Sequence, residues 1–408
     1  MVKTSNDIKM EKGNVIDFQD FRSPDLLRFG QGALSSIKEE VEMLKVKKVC
    51  IVSDKGLERV GLVQKVMDLL NPKEVTITTF TELEGEPTFQ LVEKASRKVR
   101  EEQCDLVIGI GGGSALDVAK TAAALGDKRE LKPYLSGGKT IENRTIYCIL
   151  LPTTSGTGSE VTMNAIFGDE DAGVKRGIVS PALLPDLAII DPELTISCPP
   201  RVTAASGVDA FTHAIESYIS VNASLLTRIY AEKAMKLFPQ YITKAVHNGR
   251  DIEARSGMSW VSVLAGVTLA NAGVGAVHAL AYPLGGTYHI EHGVANALLM
   301  PFVFNVIGRT CVDEMVNVAS FLELGDFSNK RYQALDAVVD YLFNLLGELN
   351  LPTSLKELGI TEESLPILAE QASKVDRLLA NTPYSLTQEK ILVIYQNAYN
   401  GKVGEVLE

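Results

Sequence analysis

The chain has 408 residues and a formal net charge of −11, with 46% hydrophobic and 22% charged residues. That length suits two or three domains with sizeable cores, and an acidic chain without a long Lys/Arg run disfavours nucleic acid and anionic membranes as partners. The N-terminus has no apolar signal core and no window approaches the roughly 20 apolar residues of a membrane span; five scattered cysteines, none in a CxxC spacing, suit a reducing compartment, so a cytoplasmic protein is expected.

Residues 1–18 are polar and charged and read as an N-terminal extension. A short β-branched run at 49–53 precedes a helical pattern reaching about residue 70. Residues 75–80 read as strand and 88–103 as helix. A strand at 106–110 leads into Gly111-Gly-Gly-Ser114, and 115–125 returns to helical spacing. Residues 146–151 and 187–190 supply two more strands. Strand alternating with helix predicts a parallel sheet covered by helices on both faces. After Pro199-Pro200, a natural break, helical periods dominate at 203–220, 223–246, 252–271, 294–306, 331–348, 361–374 and 387–399. The expected organisation is the extension at 1–18, an α/β nucleotide domain at 19–195 and an all-helical domain at 196–408.

Gly109-Ile-Gly111-Gly-Gly-Ser114 follows a strand and opens a helix. Small residues let the backbone approach a pyrophosphate, and the helix N-terminus offers unpaired N–H groups and a positive dipole end. The loop departs from the usual dinucleotide fingerprint. Ser114 stands at the third glycine position, the loop follows the third expected strand, and no strand leads to an acid near Asp127 or Glu130. Asp54, ending the first expected strand, is the better ribose acceptor; it is equally suited to cap the next helix, and composition leaves both open. Thr153, Thr154 and Thr157 lie in a stretch (151–160) of hydroxyls and glycines that suits phosphate and ribose contacts or a plain polar loop.

All five histidines fall in the stretch from His213 to His292. Asp209 and His213, four apart, share one helical face. With His278 and His292 they make one carboxylate and three imidazoles, donors for Fe(II) or Zn(II) rather than Ca(II) or Mg(II). Spacing leaves Glu216 open as a ligand or as an acceptor that orients an imidazole, and leaves His289 open in place of His292. Tyr282, one turn after His278, suits a proton relay or a packed core ring. Phe167 suits a pocket wall or the core, and His247 a helix-end cation.

Together these residues resemble the iron-containing (group III) alcohol dehydrogenases, from about Phe21 to near the C-terminus. The run from Gly111 to Lys120 looks like the family's GGGSxxDxAK loop, and Pro152 to Glu160 like its PTTxGTGSE stretch. The run Pro185 to Thr195 looks like its domain-closing strand, and the runs Gly207 to Glu216 and Val277 to Pro301 like its metal segments. The resemblance implies a Rossmann-like parallel-sheet domain, an all-α C-terminal domain as in dehydroquinate synthase-like folds, and an active site in the cleft between them. It assigns the metal to Asp209, His213, His278 and His292, favours His292 over His289, and leaves Glu216 outside the ligand set. It puts Gly112, Gly113, Ser114 and Asp117 at the pyrophosphate, Thr153, Thr154 and Thr157 beside the nicotinamide half, and Lys175 near the cofactor. An acid at Asp54 implies NAD over NADP.

The implied activity is an NAD-dependent, iron-dependent oxidoreductase acting on a small primary alcohol and its aldehyde, with Zn(II) as the other metal. Family members commonly assemble as dimers or larger, so a homo-oligomer is implied. Two departures stand out. Tyr282 occupies the place of a second histidine in some members, leaving Tyr282 or His289 for the proton relay, and Glu86 stands where some members carry asparagine. A zinc polyol dehydrogenase, a lyase resembling dehydroquinate synthase and a non-catalytic nucleotide sensor are the competing readings.

Overall fold

A computed structural model describes residues 20–71, 73–126, 130–169 and 174–404 of the chain; the extension expected at 1–18, and Asp127, lie outside them. In chain order the first part contains β1 (Leu26–Phe29), α1 (Ile37–Leu44), β2 (Lys48–Asp54), α2 (Lys55–Arg59), α3 (Leu62–Leu69), β3 (Thr76–Leu83), α4 (Phe89–Glu101), β4 (Leu106–Gly111), α5 (Gly113–Leu125), β5 (Tyr147–Pro152), β6 (Asn164–Asp169), β7 (Val174–Val179) and β8 (Leu187–Ile190). Six strands form one sheet in the order β1-β8-β5-β4-β2-β3, all parallel. Both faces of its central strands are covered, which is why they read as unbroken apolar runs. Ile51, Ile108 and Ile149 pack with Ile37, Val41, Val63 and Val66 on one side. Cys50, Val52, Val107, Cys148 and Leu150 pack with Val92, Ala95, Leu116 and Ala119 on the other.

The α/β expectation holds, and two elements were not legible. β1 is four residues long at the sheet edge, so the glycine loop follows the fourth strand of the chain, not the third. β6 and β7 form a separate antiparallel hairpin, pairing Ala165 with Ile178 and Phe167 with Arg176. Gly168, Asp169, Lys175, Arg176 and Gly177 interrupt the period-2 pattern that announces a strand.

The second part is helical: α6 (Pro200–Ile219), α7 (Leu225–His247), α8 (Ile252–Ala272), α9 (Ala276–Tyr288), α10 (His292–Ile307), α11 (Val312–Phe321), α12 (Arg331–Glu348), α13 (Leu365–Ser373), α14 (Asp376–Leu379) and α15 (Gln388–Asn400). One continuous apolar core runs through it, from Ala204 to Ala398. Each expected helix has a counterpart; α9, α11 and the short α14 are additional. α9 hides from propensity because it contains Pro283 and Gly285-Gly286; burial of Val277, Leu280, Ala281 and Leu284 holds it instead. No single helix among the described residues is long and apolar enough to cross a membrane.

Close backbone contact joins the two parts. Gly158 has φ +61°, and a Cβ there would lie 2.5 Å from the Gly266 Cα in α8. Phe29 of β1 stacks on Trp260 of α8 with ring centroids 3.8 Å apart.

Candidate metal and cofactor site

The chain reverses direction across the sheet between β2 and β4, which are neighbours although β3 separates them in sequence. Open α/β sheets bind ligands beyond the strand C-termini at such a switch point. An open crevice of about 810 Å³ lies there, lined by Asp54, Gly112, Gly113, Ser114, Thr153 and Thr154. The α5 N-terminus points its free N–H groups into this space because Gly112 is the N-cap and offers no side chain of its own. Gly113 is required by proximity: a Cβ would meet the Thr157 side chain at 2.7 Å. Asp54 is a helix cap that also faces the crevice. Its Oδ1 accepts from the Leu57 N–H at 2.9 Å, capping α2, while the residue lines the crevice.

The loop after β5 is held by two α5 side chains one turn apart. The Asp117 Oδ1 accepts from the Ser159 hydroxyl at 2.6 Å, and its Oδ2 accepts from the Ile166 N–H at 2.9 Å. Lys120, fully buried, donates to the Ser159 and Thr162 carbonyls at 3.0 and 3.3 Å and pairs with Asp117 at 3.1 Å. Asp117 therefore fastens the hydroxyl-rich loop and also lines the inner cavity described below. Lys120, the last residue of the run that resembles the family's glycine loop, is the other half of this clamp.

Deeper in, a cavity of about 240 Å³ lies between the β6–β7 hairpin and helices α6, α9, α10 and α14. It shares Gly113 and Ser114 with the crevice. Asp209 and His213 come from α6, His278 from α9 and His292 from the first turn of α10. The Nε2 atoms of His278, His213 and His292 stand 3.6, 3.7 and 3.9 Å from the Asp209 Oδ1. Asp209, His278 and His292 form the tightest group, with donor atoms all within 4.8 Å of one another. The His278 Nε2 is buried without a hydrogen-bond partner, which is the signature of an atom arranged for something other than protein.

Glu216, one turn beyond His213, is hydrogen-bonded to the other side of His278. Its Oε2 lies 2.6 Å from the Nδ1, and its Oε1 accepts from the Val277 N–H at 2.7 Å. That bond turns the Nε2 toward Asp209. Asn296, one turn after His292, also belongs to the cluster. Its Nδ2 donates to the Asp209 Oδ1 at 2.7 Å and lies 3.2 Å from the His292 Nε2. Only its i+4 spacing from a suspected ligand pointed to it.

Charge in this pocket is strongly coupled. Burial raises the Asp209 carboxyl, but the facing imidazoles of His213, His292 and His278 more than reverse this and hold it well below the usual range. Burial pushes His213 down to about 4 and His292 down to about 3, against the pull of Asp209. Burial alone would lower His278 as well, but Glu216 and Asp209 outweigh it and lift it to about 9. At neutral pH two of the three imidazoles thus keep free lone pairs, the form a metal takes. One carboxylate and convergent imidazoles, with the His278 Nε2 and the His213 Nδ1 both buried without a partner, fit Fe(II) or Zn(II).

Lys175 extends from β7 into the cavity, where its Nζ pairs with the Glu86 Oε1 at 2.5 Å and packs over Gly285. Tyr282 lines the cavity, its ring centroid 6.2 Å from that of His292. Phe167 is both core and wall. His289 is exposed at the left-handed C-cap of α9 (φ 54°) and lines neither space. His247, also exposed, meets the Glu348 carbonyl at 3.2 Å as a helix-end group.

Residues 24–192 match the iron-containing alcohol dehydrogenases, and 203–399 match the C-terminal part of the Fe-containing alcohol dehydrogenase family. The chain belongs to the iron-containing alcohol dehydrogenase family. It is similar to long-chain-alcohol dehydrogenase 1 of Geobacillus thermodenitrificans, 41% identical over 94% of this chain and 97% of that protein. It is 31% identical to the NAD-dependent methanol dehydrogenase of Bacillus methanolicus, over 93% of this chain and 99% of that one. A crystal structure of 1,3-propanediol oxidoreductase superposes with a TM-score of 0.89 at 32% identity, covering 94% of this chain and 100% of that chain. An iron-type alcohol dehydrogenase is an oxidoreductase, and alcohols and aldehydes are the substrates its relatives imply.

Proposed function

We propose that the chain interconverts a small primary alcohol and its aldehyde using NAD, with Fe(II), or alternatively Zn(II), held by Asp209, His213, His278 and His292. The site lies in the cleft between an α/β domain at 19–195 and a helical domain at 196–408. The observation that carries this is the meeting of three imidazole nitrogens around one carboxylate oxygen, beside a crevice at the sheet's switch point. The bound metal supplies Lewis acidity toward the substrate oxygen, and the nicotinamide supplies the hydride carrier.

The chain's own residues do the rest. Asp209 contributes the charge, and Glu216 keeps His278 in the orientation that faces the cluster. Gly112, Gly113 and Ser114 offer N–H groups to the pyrophosphate. Thr153 and Thr154 line the crevice and Thr157 the cavity, which suits the nicotinamide half. Asp54 accepts from the ribose and repels a 2′-phosphate. Lys175 is pinned by Glu86 at the cofactor side of the cavity. Tyr282, whose hydroxyl burial keeps protonated, moves the substrate proton toward water; His289 is too far out for that task. A cytoplasmic homo-oligomer completes the picture, with exposed Val221, Leu225 and Ile229 as apolar surface available for assembly.

NADH oxidation by short aldehydes is the test, using anaerobically Fe(II)-loaded protein beside a chelated sample. Metal-dependent turnover is expected. NAD binding without turnover in either sample would move weight to a lyase or a sensor.

A further inference from the structure

Nearly every charge around the inner cavity is compensated. Lys175 pairs with Glu86, Asp117 with Lys120, and Asp209 with the imidazoles. Arg377 of α14 is the exception. It lines the cavity that holds the metal cluster, is exposed, and pairs with no carboxylate among the described residues. Tyr282 lines the same cavity, its ring centroid 6.2 Å from that of His292. Ile166, Phe167, Leu269, Val274 and Leu378 give the cavity an apolar stretch of wall, beside polar Thr162 and Asn164.

The cavity thus combines the metal cluster, an apolar stretch of wall and one uncompensated cation. A plain alkyl alcohol would cover the apolar wall and leave the guanidinium to water. A guanidinium is planar, permanently charged and suited to bidentate contact with an oxyanion. We propose that Arg377 recognises the anionic group, carboxylate or sulfonate, of a short bifunctional substrate whose aldehyde or alcohol end reacts at the metal cluster. This rests on the dehydrogenase function proposed above and names its substrate class. The chemistry remains hydride transfer: NADH and a proton reduce the carbonyl, and the distant anion stays unchanged.

Matched aldehydes test the assignment. Glyoxylate, sulfoacetaldehyde and succinic semialdehyde would be compared with acetaldehyde, propanal and butanal, in the wild-type enzyme and in Arg377→Ala and Arg377→Lys. At least one anionic member is expected to exceed its neutral match by roughly 10-fold in kcat/KM, the scale of one charge-assisted contact. Arg377→Ala should erase that ratio, chiefly through KM, and Arg377→Lys should restore part of it. Added salt should weaken only the anionic series. A neutral preference throughout, or equal losses on both series in Arg377→Ala, overturns the anion site. Turnover of neutral aldehydes alone leaves the dehydrogenase function standing and removes only this assignment. No turnover on either series removes both.

Discussion

Replacing Asp54 separates the two tasks its carboxylate is placed to do. One oxygen accepts the Leu57 N–H at 2.9 Å and caps α2; the residue also lines the cofactor crevice at the end of β2. A hydrogen bond from a ribose hydroxyl to a charged acceptor is worth about 1.5–3 kcal/mol. That range converts to roughly 10- to 150-fold in NAD affinity. Losing the cap costs about 1 kcal/mol of stability. Asp54→Ser keeps a capping oxygen and removes the charge, whereas Asp54→Ala removes both. Both variants should therefore raise KM for NAD by that factor and improve relative use of NADP. Only Asp54→Ala should also lose unfolding free energy. Initial rates with NAD and NADP, beside urea unfolding, read the two effects separately. If Asp54→Ser leaves the NAD-to-NADP ratio of kcat/KM unchanged, the carboxylate is a helix cap and nothing more.

Three other perturbations follow from the geometry. Glu216→Gln weakens the orienting bond to His278, so metal affinity measured against a competing chelator should fall about 10- to 100-fold; an unchanged affinity contradicts the role. Gly158→Ala puts a Cβ 2.5 Å from the Gly266 backbone at a φ of +61°, so it should lose at least about 1–3 kcal/mol, and wild-type thermal stability would refute the contact. Burial lifts the Glu160 carboxyl from 4.5 to about 7, with its backbone hydrogen bond and Lys120 opposing. The folded state then holds a proton that the unfolded chain has released. Stability should fall as pH rises from about 4.5 to about 7 and stay level above, by about 3 kcal/mol in all. Glu160→Gln should flatten that slope in urea unfolding, and parallel slopes for the two proteins would contradict it.

Local spacing carried much of the site into view. Asp209 and His213 share a helical face, and a helix repeats often enough for four positions to decide it. His278 and His292 stood out as residue types, but their approach to Asp209 depends on three separate helices packing around one core, which no local pattern encodes. Asn296 carries no metal signature, and its i+4 spacing from His292 was the one local cue to it. The bonds from Asp117 to Ser159 and Ile166 were not legible, because both partners reach it only through the fold. The parallel sheet was legible because buried strands are uniformly apolar. The β6–β7 hairpin was not, since its charges and glycines serve the cavity rather than a core. α9 is helical despite Pro283 and two glycines because tertiary burial overrides propensity.

The central claim is that Asp209 and three imidazoles hold a catalytic metal. Bound iron per chain, measured after anaerobic Fe(II) loading and exhaustive dialysis, tests it most directly when wild type is set beside His278→Ala and turnover is followed on the same samples. The account predicts one tightly held ion in the wild type, and loss of both ion and NADH-dependent turnover in the variant. Unchanged iron content and unchanged turnover in His278→Ala would contradict it.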